Sequence, residues 1–364
     1  MNLNDFCLFL ESLAPLSTSE EYDNAGLLVG DPDMTVRKVM LCLDLTPAVM
    51  DEATAKDCNL IISHHPFIFT NLKRLTWDKV ETKLIYQAVK RDMAIYAIHT
   101  NLDNALNGLN GYLMKKLGIS SFKILLPKKD ILSKLITFCP LAYAEKTRNA
   151  LFEAGAGTIG NYNSCSFNTT GEGTFRASGE ANPFVGQKNI VHFEKEVKIE
   201  VIFPNYLEGH IIKALLENHP YEEVAYDIVP LRNPFPKVGA GTIGELTNPM
   251  TNTELLLHIK NTLTLNAIRH SGLLSRPVKR VACCSGSGSF LISEAIRAGA
   301  DVLITADLKY HDFFLGADRI TLMDIGHYES EHWVKEWLYH AIIEKFPTFA
   351  VLISEINTNP VHYF

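Results

Sequence analysis

The adjacent pair His64-His65 follows the aliphatic run Leu60-Ile61-Ile62 and stops on Pro66. Imidazole exchanges protons near neutral pH and is a frequent metal ligand. Neighbouring side chains on extended backbone point apart, so the two rings are badly placed to share one ion. They suit two ions, or one ligand and one structural residue. Three more groupings have the same setting just past an apolar run: His99 with Asp103, Asp307 with His311, and His327 with Glu331. His327 and Glu331 are four apart at the start of a helix, where one face can offer an imidazole and a carboxylate to one ion. A cap in which Ser330 or Glu331 satisfies the first free amides competes with that use. Asp103 lies in the polar run HTNLDNALNG, where an N-cap or Asx-turn is the competing role.

Taken together, His64, His65, His327, Asp103 and Glu331 form a set suited to two divalent ions. Two such ions carry a formal +4 against -2 from the carboxylates, a remainder that a bridging hydroxide reduces. Asp103 is the natural bridging acid in this reading. Water acidified in this way is a nucleophile near neutral pH. Ligand type admits zinc, manganese, iron or nickel. Asp307, His311 and His99 are expected to transfer protons or stand behind the ligands, with a solvated loop as the alternative.

The elements that must position these groups alternate strand and helix. In the first third, strands are expected at Val39–Leu45, Leu60–Ile62 and Ala94–Ile98, with helices at Pro47–Lys56 and 78–91. In the last third, strands at 281–284, 301–305 and 320–325 surround a helix near 290–298. An amphipathic helix follows, carrying Trp333, Val334, Trp337, Leu338, Ala341 and Ile342 at one-turn intervals. Open α/β sheets bind ligands beyond the carboxyl ends of their strands, which is where these polar groups fall. The middle reads strand, helix, Gly-rich hairpin, strand, helix, strand, the order of a ferredoxin-like α+β module inserted into the outer fold. The expected fold class is therefore α/β, with two outer lobes (1–127 and 244–364) forming one layered domain around an insert at 128–243. The hexapeptide GAGTIG occurs at Gly155–Gly160 and again at Gly239–Gly244. Paired turns are the expected role, since neither copy clearly separates a strand from a helix as a phosphate loop does. Ser285-Gly286-Ser287-Gly288-Ser289, between strand and helix, is a weak anion-binding signal or a tight βα turn.

At 364 residues and 47% hydrophobic content the chain can bury a large core. A net charge of -7 argues against sequence-independent nucleic-acid binding. No apolar run reaches membrane-spanning length and the first residues carry acids in place of a signal peptide's basic region, so the cytoplasm is expected. Seven cysteines without a CxxC pair are expected to be reduced thiols used for packing.

The motifs YDNAGLLVG (Tyr22–Gly30), SHHPFIF (Ser63–Phe69), HTNLDNA (His99–Ala105), TADLKYHD (Thr305–Asp312) and GHYESE (Gly326–Glu331) resemble those of the NGG-interacting-factor-3-like proteins. These are also called GTP cyclohydrolase I type 2 homologues. Tyr22 stands where the family pattern has Trp. The resemblance implies a metal pair held by His64, His65, Asp103, His327 and Glu331, zinc above all, in a toroidal homohexamer. It also implies that the insert is the PII/CutA-like module of longer members, marked by GEGTFRASGEANPFVG (Gly171–Gly186) and HPYEEVAYDIVPL (His219–Leu231). The activity it implies is a metal-dependent hydrolysis of GTP or another phosphate-bearing heterocycle, with ring opening and loss of formate. A metal-binding scaffold, or a regulatory protein with a small-molecule-sensing insert, is the other reading.

Overall fold

The computed structural model describes residues 1–363. The chain forms two compact units: Met1–Pro127 with the residues from Lys237 on, and Lys128–Pro236. The first unit contains two sheets. In one, the strands run in the order Gly26–Val29, Ala94–Ala97, Leu60–Ser63, Lys38–Cys42 and Ala350–Ile353. All its pairings are parallel except that of Gly26–Val29 with Ala94–Ala97. Its three central strands are almost wholly buried, which explains their unbroken aliphatic composition. The other sheet runs Arg269–His270, Thr321–Asp324, Val302–Ala306, Val278–Ser287, Gly239–Met250 and Phe122–Pro127.

Chain order does not separate these sheets. Ala350–Ile353 pairs with Lys38–Cys42, while Phe122–Pro127 pairs with Gly239–Met250. The helix Leu3–Leu13 buries Leu3, Phe6, Cys7 and Leu10, one stripe at helical spacing. The predicted amphipathic helix is present at Val334–Lys345, and its Val334, Leu338 and Ile342 complete the same core. The helix Pro47–Ala55 begins where expected because Thr46 caps the Val49 amide and Pro47 presets the first turn.

One expectation is corrected here. Gly155–Gly160 leads from a helix end through irregular backbone into the turn closed by Ile159 and Tyr162, but Gly239–Gly244 lies inside a strand paired on both sides. The boundary expected at 243 therefore falls within a strand of the first unit, and the second unit ends at Pro236. Gly241 has φ 61, and a Cβ there would press on Leu291 Cδ1 at 2.8 Å. The glycines permit a close approach within a strand instead of forming a turn.

The second unit is a fully antiparallel sheet in the order Phe167–Arg176, Val191–Pro204, Leu132–Pro140 and Tyr226–Leu231. Helices Ala144–Glu153 and Glu208–Asn218 cover one face through Leu151, Ile211 and Leu215. The seven cysteines are free, and Cys42, Cys139, Cys283 and Cys284 are buried. No helix of the described residues is long and apolar enough to cross a membrane.

Leu338→Ala tests whether the late helix closes the early core. The leucine is fully buried. Urea unfolding should show a loss of roughly 2–5 kcal/mol, and a change within 0.5 kcal/mol, about the size of an ordinary surface substitution, would contradict that packing.

Candidate metal centre

Strand register brings the first group together. Cys42, Ser63 and Ala97 are register neighbours on three parallel strands. Two residues further on, Asp44, His65 and His99 follow at the same level. His65 Nδ1 lies 2.7 Å from Asp44 Oδ1. On the other sheet, parallel pairing of Val302–Ala306 with Thr321–Asp324 delivers Asp307 and His327, whose Nδ1 lies 2.7 Å from Asp307 Oδ2. Asp307 has φ 56, a left-handed backbone that aspartate tolerates better than most residues.

Every histidine here has its Nδ1 committed to oxygen. His64 Nδ1 is 2.8 Å from the Ile98 carbonyl and His99 Nδ1 is 2.8 Å from Asp23 Oδ1. An Nδ1–H donated to oxygen leaves Nε2 as the free ligand atom, the usual arrangement of metal-binding histidine.

The Nε2 atoms and two carboxylates converge in three overlapping groups: His64, His65 and His99; His65, His327 and Glu331; and His64, Asp103 and Glu331. Within each, the ligand atoms lie within 4.8 Å of one another. Glu331 Oε2 is 2.8 Å from His65 Nε2 and 2.9 Å from His327 Nε2. Glu331, and not Asp103, is thus the acid common to two groups. The helix His327–Glu331 has no side-chain cap, so the capping alternative does not hold.

The fit to a cation rests on orphaned atoms. His64 Nε2 and Asp103 Oδ1 are buried, without hydrogen-bond partners, and 3.6 Å apart. Buried polar atoms are seldom left unpaired, and an imidazole lone pair facing a carboxylate oxygen is what a divalent ion satisfies. Electrostatics agree. Burial pushes His64 down to about 3, so it is neutral. Burial and the Glu331 charge raise Asp103. His65 is opposed by burial, but its bonds to Asp44 and Glu331 raise it to about 10. His327 rises to about 9, chiefly through Glu331.

The structure brings the five residues expected as ligands into one cluster, and Asp307, expected to transfer protons or stand behind the ligands, bonds His327. His99, expected to transfer a proton or stand behind the ligands, has its ring beside those of His64 and His65. His311 is not brought to the centre: it is exposed and packs against Tyr310 and Phe314. Asp44 was missed, although its position at a strand end is the same signal that marked the histidines. The Ser285–Ser289 segment is not a free anion loop, since the Ser285 amide donates to Asn110 Oδ1 and the Gly286 amide to Ser330 Oγ. Gly286, at φ 59, makes room for Glu331, whose Oε1 would lie 2.1 Å from an added Cβ.

A cavity of 560 Å³ opens beside the centre, lined by His65, His99, Asp103, His327 and Glu331 and walled by Tyr22, Phe69 and Phe290. Among the described residues lining it there is no Lys or Arg, and there are three further acids, Glu20, Asp44 and Glu81.

Two outcomes are expected. Gly286→Ala should fold, at a cost of roughly 1–3 kcal/mol, and lose at least roughly tenfold in zinc affinity by competition with a chromophoric chelator; unchanged affinity would contradict the cradle. His65 and His327 have raised values in the ion-free state, so they hold protons at neutral pH that a cation must expel. Affinity should rise with pH toward 9 to 10 and fall on acidification. Calorimetry of zinc binding in buffers of different ionisation enthalpy should show net proton release, and none would contradict the assignment.

The profile of the Duf34/NIF3 (NGG1p interacting factor 3) family matches residues 1–360. A Bacillus subtilis relative, "GTP cyclohydrolase 1 type 2 homolog", is 39% identical over 360 residues, covering 96% of this chain and 95% of its own. A crystal structure of a Bacillus cereus protein related to NIF3 superposes with a TM-score of 0.86 at 36% identity, covering 100% of this chain and 99% of that one. A Staphylococcus aureus structure, protein SA1388, gives 0.76 at 30% identity, with 100% and 99% covered. The chain belongs to the Duf34/NIF3 family.

Proposed function

We propose that this protein is a metal-dependent hydrolase whose centre holds two divalent ions, zinc foremost, on His64, His65, Asp103, His327 and Glu331, with His99 beside them. The observation that carries this reading is the convergence of inward-facing Nε2 atoms on two carboxylates, with His64 Nε2 and Asp103 Oδ1 left unpaired. Ions bound there would polarise an electrophile and acidify water near neutral pH. Five ligand residues leave open positions around two ions, which favours chemistry over a closed structural site. His99, oriented by Asp23, is the group best placed to move a proton at its Nε2. Asp307 acts through His327 by holding its ring.

A planar heterocycle suits the aromatic walls of Tyr22, Phe69 and Phe290. The acidic lining offers no Lys or Arg to a polyphosphate. A nucleoside or nucleoside monophosphate is therefore a better substrate than GTP, whose name comes only with the relatives. The resemblance also supports a toroidal homohexamer, and the free, mostly buried thiols support a cytoplasmic setting. For the second unit, the order strand, helix, two strands, helix, strand and the spatial order of its sheet support a ferredoxin-like fold.

Metal analysis of the parent beside His64→Ala and Glu331→Gln, with turnover of guanosine, its monophosphate and its triphosphate, tests the proposal. Expected are two ions per chain in the parent, loss of metal and turnover together in the variants, and no gain in kcat/KM from the two extra phosphates. Full occupancy without turnover of any nucleotide would replace the hydrolase with a metal-organised scaffold. A Glu331→Gln variant that keeps its ions would refute the centre itself.

A further inference from the structure

The second unit has a cavity of its own. Strand partners share a face, so Thr169, Gly171, Gly173 and Phe175 lie on the same side as Lys198, Glu196, Glu194 and His192. The alternate residues Val197, Ile199 and Val201 pack under the two helices. The helix-free face would ordinarily be open. Here the segments around Ala181–Val185 and Tyr221–Glu223 cover it and enclose 790 Å³, within the range of about 300–1,000 Å³ usual for small-molecule sites.

Glycines create the space. A Cβ on Gly171 would meet nothing within 4 Å, whereas one on Gly173 would lie 2.2 Å from Glu196 Oε2. The GEGTF stretch thus clears the floor and lets one carboxylate lie across it. Glu196 is only 9% exposed, and its Oε1 accepts the Tyr221 hydroxyl at 2.7 Å. His219 positions that tyrosine: its Nδ1 accepts the Tyr221 amide at 3.1 Å while its Nε2 donates to the Phe138 carbonyl at 2.9 Å. Glu222 accepts the Asn182 amide at 2.7 Å, joining the two covering segments. The rings of Phe175 and Phe184 stand 6.3 and 6.2 Å from that of Tyr221.

A largely buried carboxylate that faces a cavity is well satisfied by a positive partner placed there. Of the two lining cations, Lys198 is ion-paired with Glu200. Lining acids Glu172, Glu196, Glu222 and Glu223 outnumber the bases Arg176 and Lys198. Aromatic faces beside a buried acid select a cation attached to apolar bulk. We propose that this cavity binds an organic ammonium ion carrying an apolar body, its charge on Glu196 and its body against Phe175, Phe184 and Tyr221.

The test is calorimetric titration of the full chain, with chelator present, using three probes of one shape: phenethylammonium, 2-phenylethanol and phenylacetate. The ammonium probe should bind at least roughly tenfold tighter than the alcohol, and phenylacetate more weakly still. Glu196→Gln, which keeps the acceptor for Tyr221, should erase the preference. Phe175→Leu, which keeps apolar bulk but removes the π face, should reduce it several-fold, and circular dichroism should show both variants folded. The proposal is overturned if the alcohol or the acid binds as well as the ammonium ion. It is equally overturned by no saturable binding up to about 10 mM, or by a preference that survives both substitutions.

Discussion

Four imidazoles held by their Nδ1 atoms are the constraint on which the rest of the structure turns. A free imidazole has two tautomers and a rotating ring, and neither property suits a ligand. The Ile98 carbonyl, Asp44, Asp23 and Asp307 each remove that freedom from one histidine. Their placement requires strands in correct register, because a slip of one residue would turn Asp44 or His65 to the opposite face. The sheets are therefore the frame that sets ring orientation, and the large aliphatic cores are what keep that frame from slipping.

The ligand candidates were legible because apolar runs ending in imidazole or carboxylate stand out in any sequence of this kind. Asp307 was legible as a supporting acid for the same reason. What could not be read was partnership across sequence distance. Asp44 meets His65 only because Cys42 and Ser63 are register neighbours, and Glu331 becomes the shared acid only because Gly286 leaves it space. The helix positions at Pro47–Ala55 and Val334–Lys345 followed from caps and periodicity, which are local. The second GAGTIG copy was misread as a turn because glycine marks close backbone approach as well as reversal, and a neighbour supplied by another strand decides which.

The two cavities solve opposite electrostatic problems. In the first unit a concentration of acid without Lys or Arg is balanced when divalent charge is present, and a substrate rich in negative charge gains little from the walls. In the second unit one sequestered acid sits among aromatic rings, a setting that rewards a diffuse positive charge and excludes an anion.

The interleaving of early and late strands has a consequence for biosynthesis. His64, His65, His99 and Asp103 leave the ribosome more than two hundred residues before His327 and Glu331, and the strand that closes the first sheet, Ala350–Ile353, is later still. A nascent chain can therefore display an incomplete ligand set but cannot assemble the centre. For the metal centre proposed above, cation selection would wait until these elements are translated, when the whole donor set is present to discriminate among the available metals.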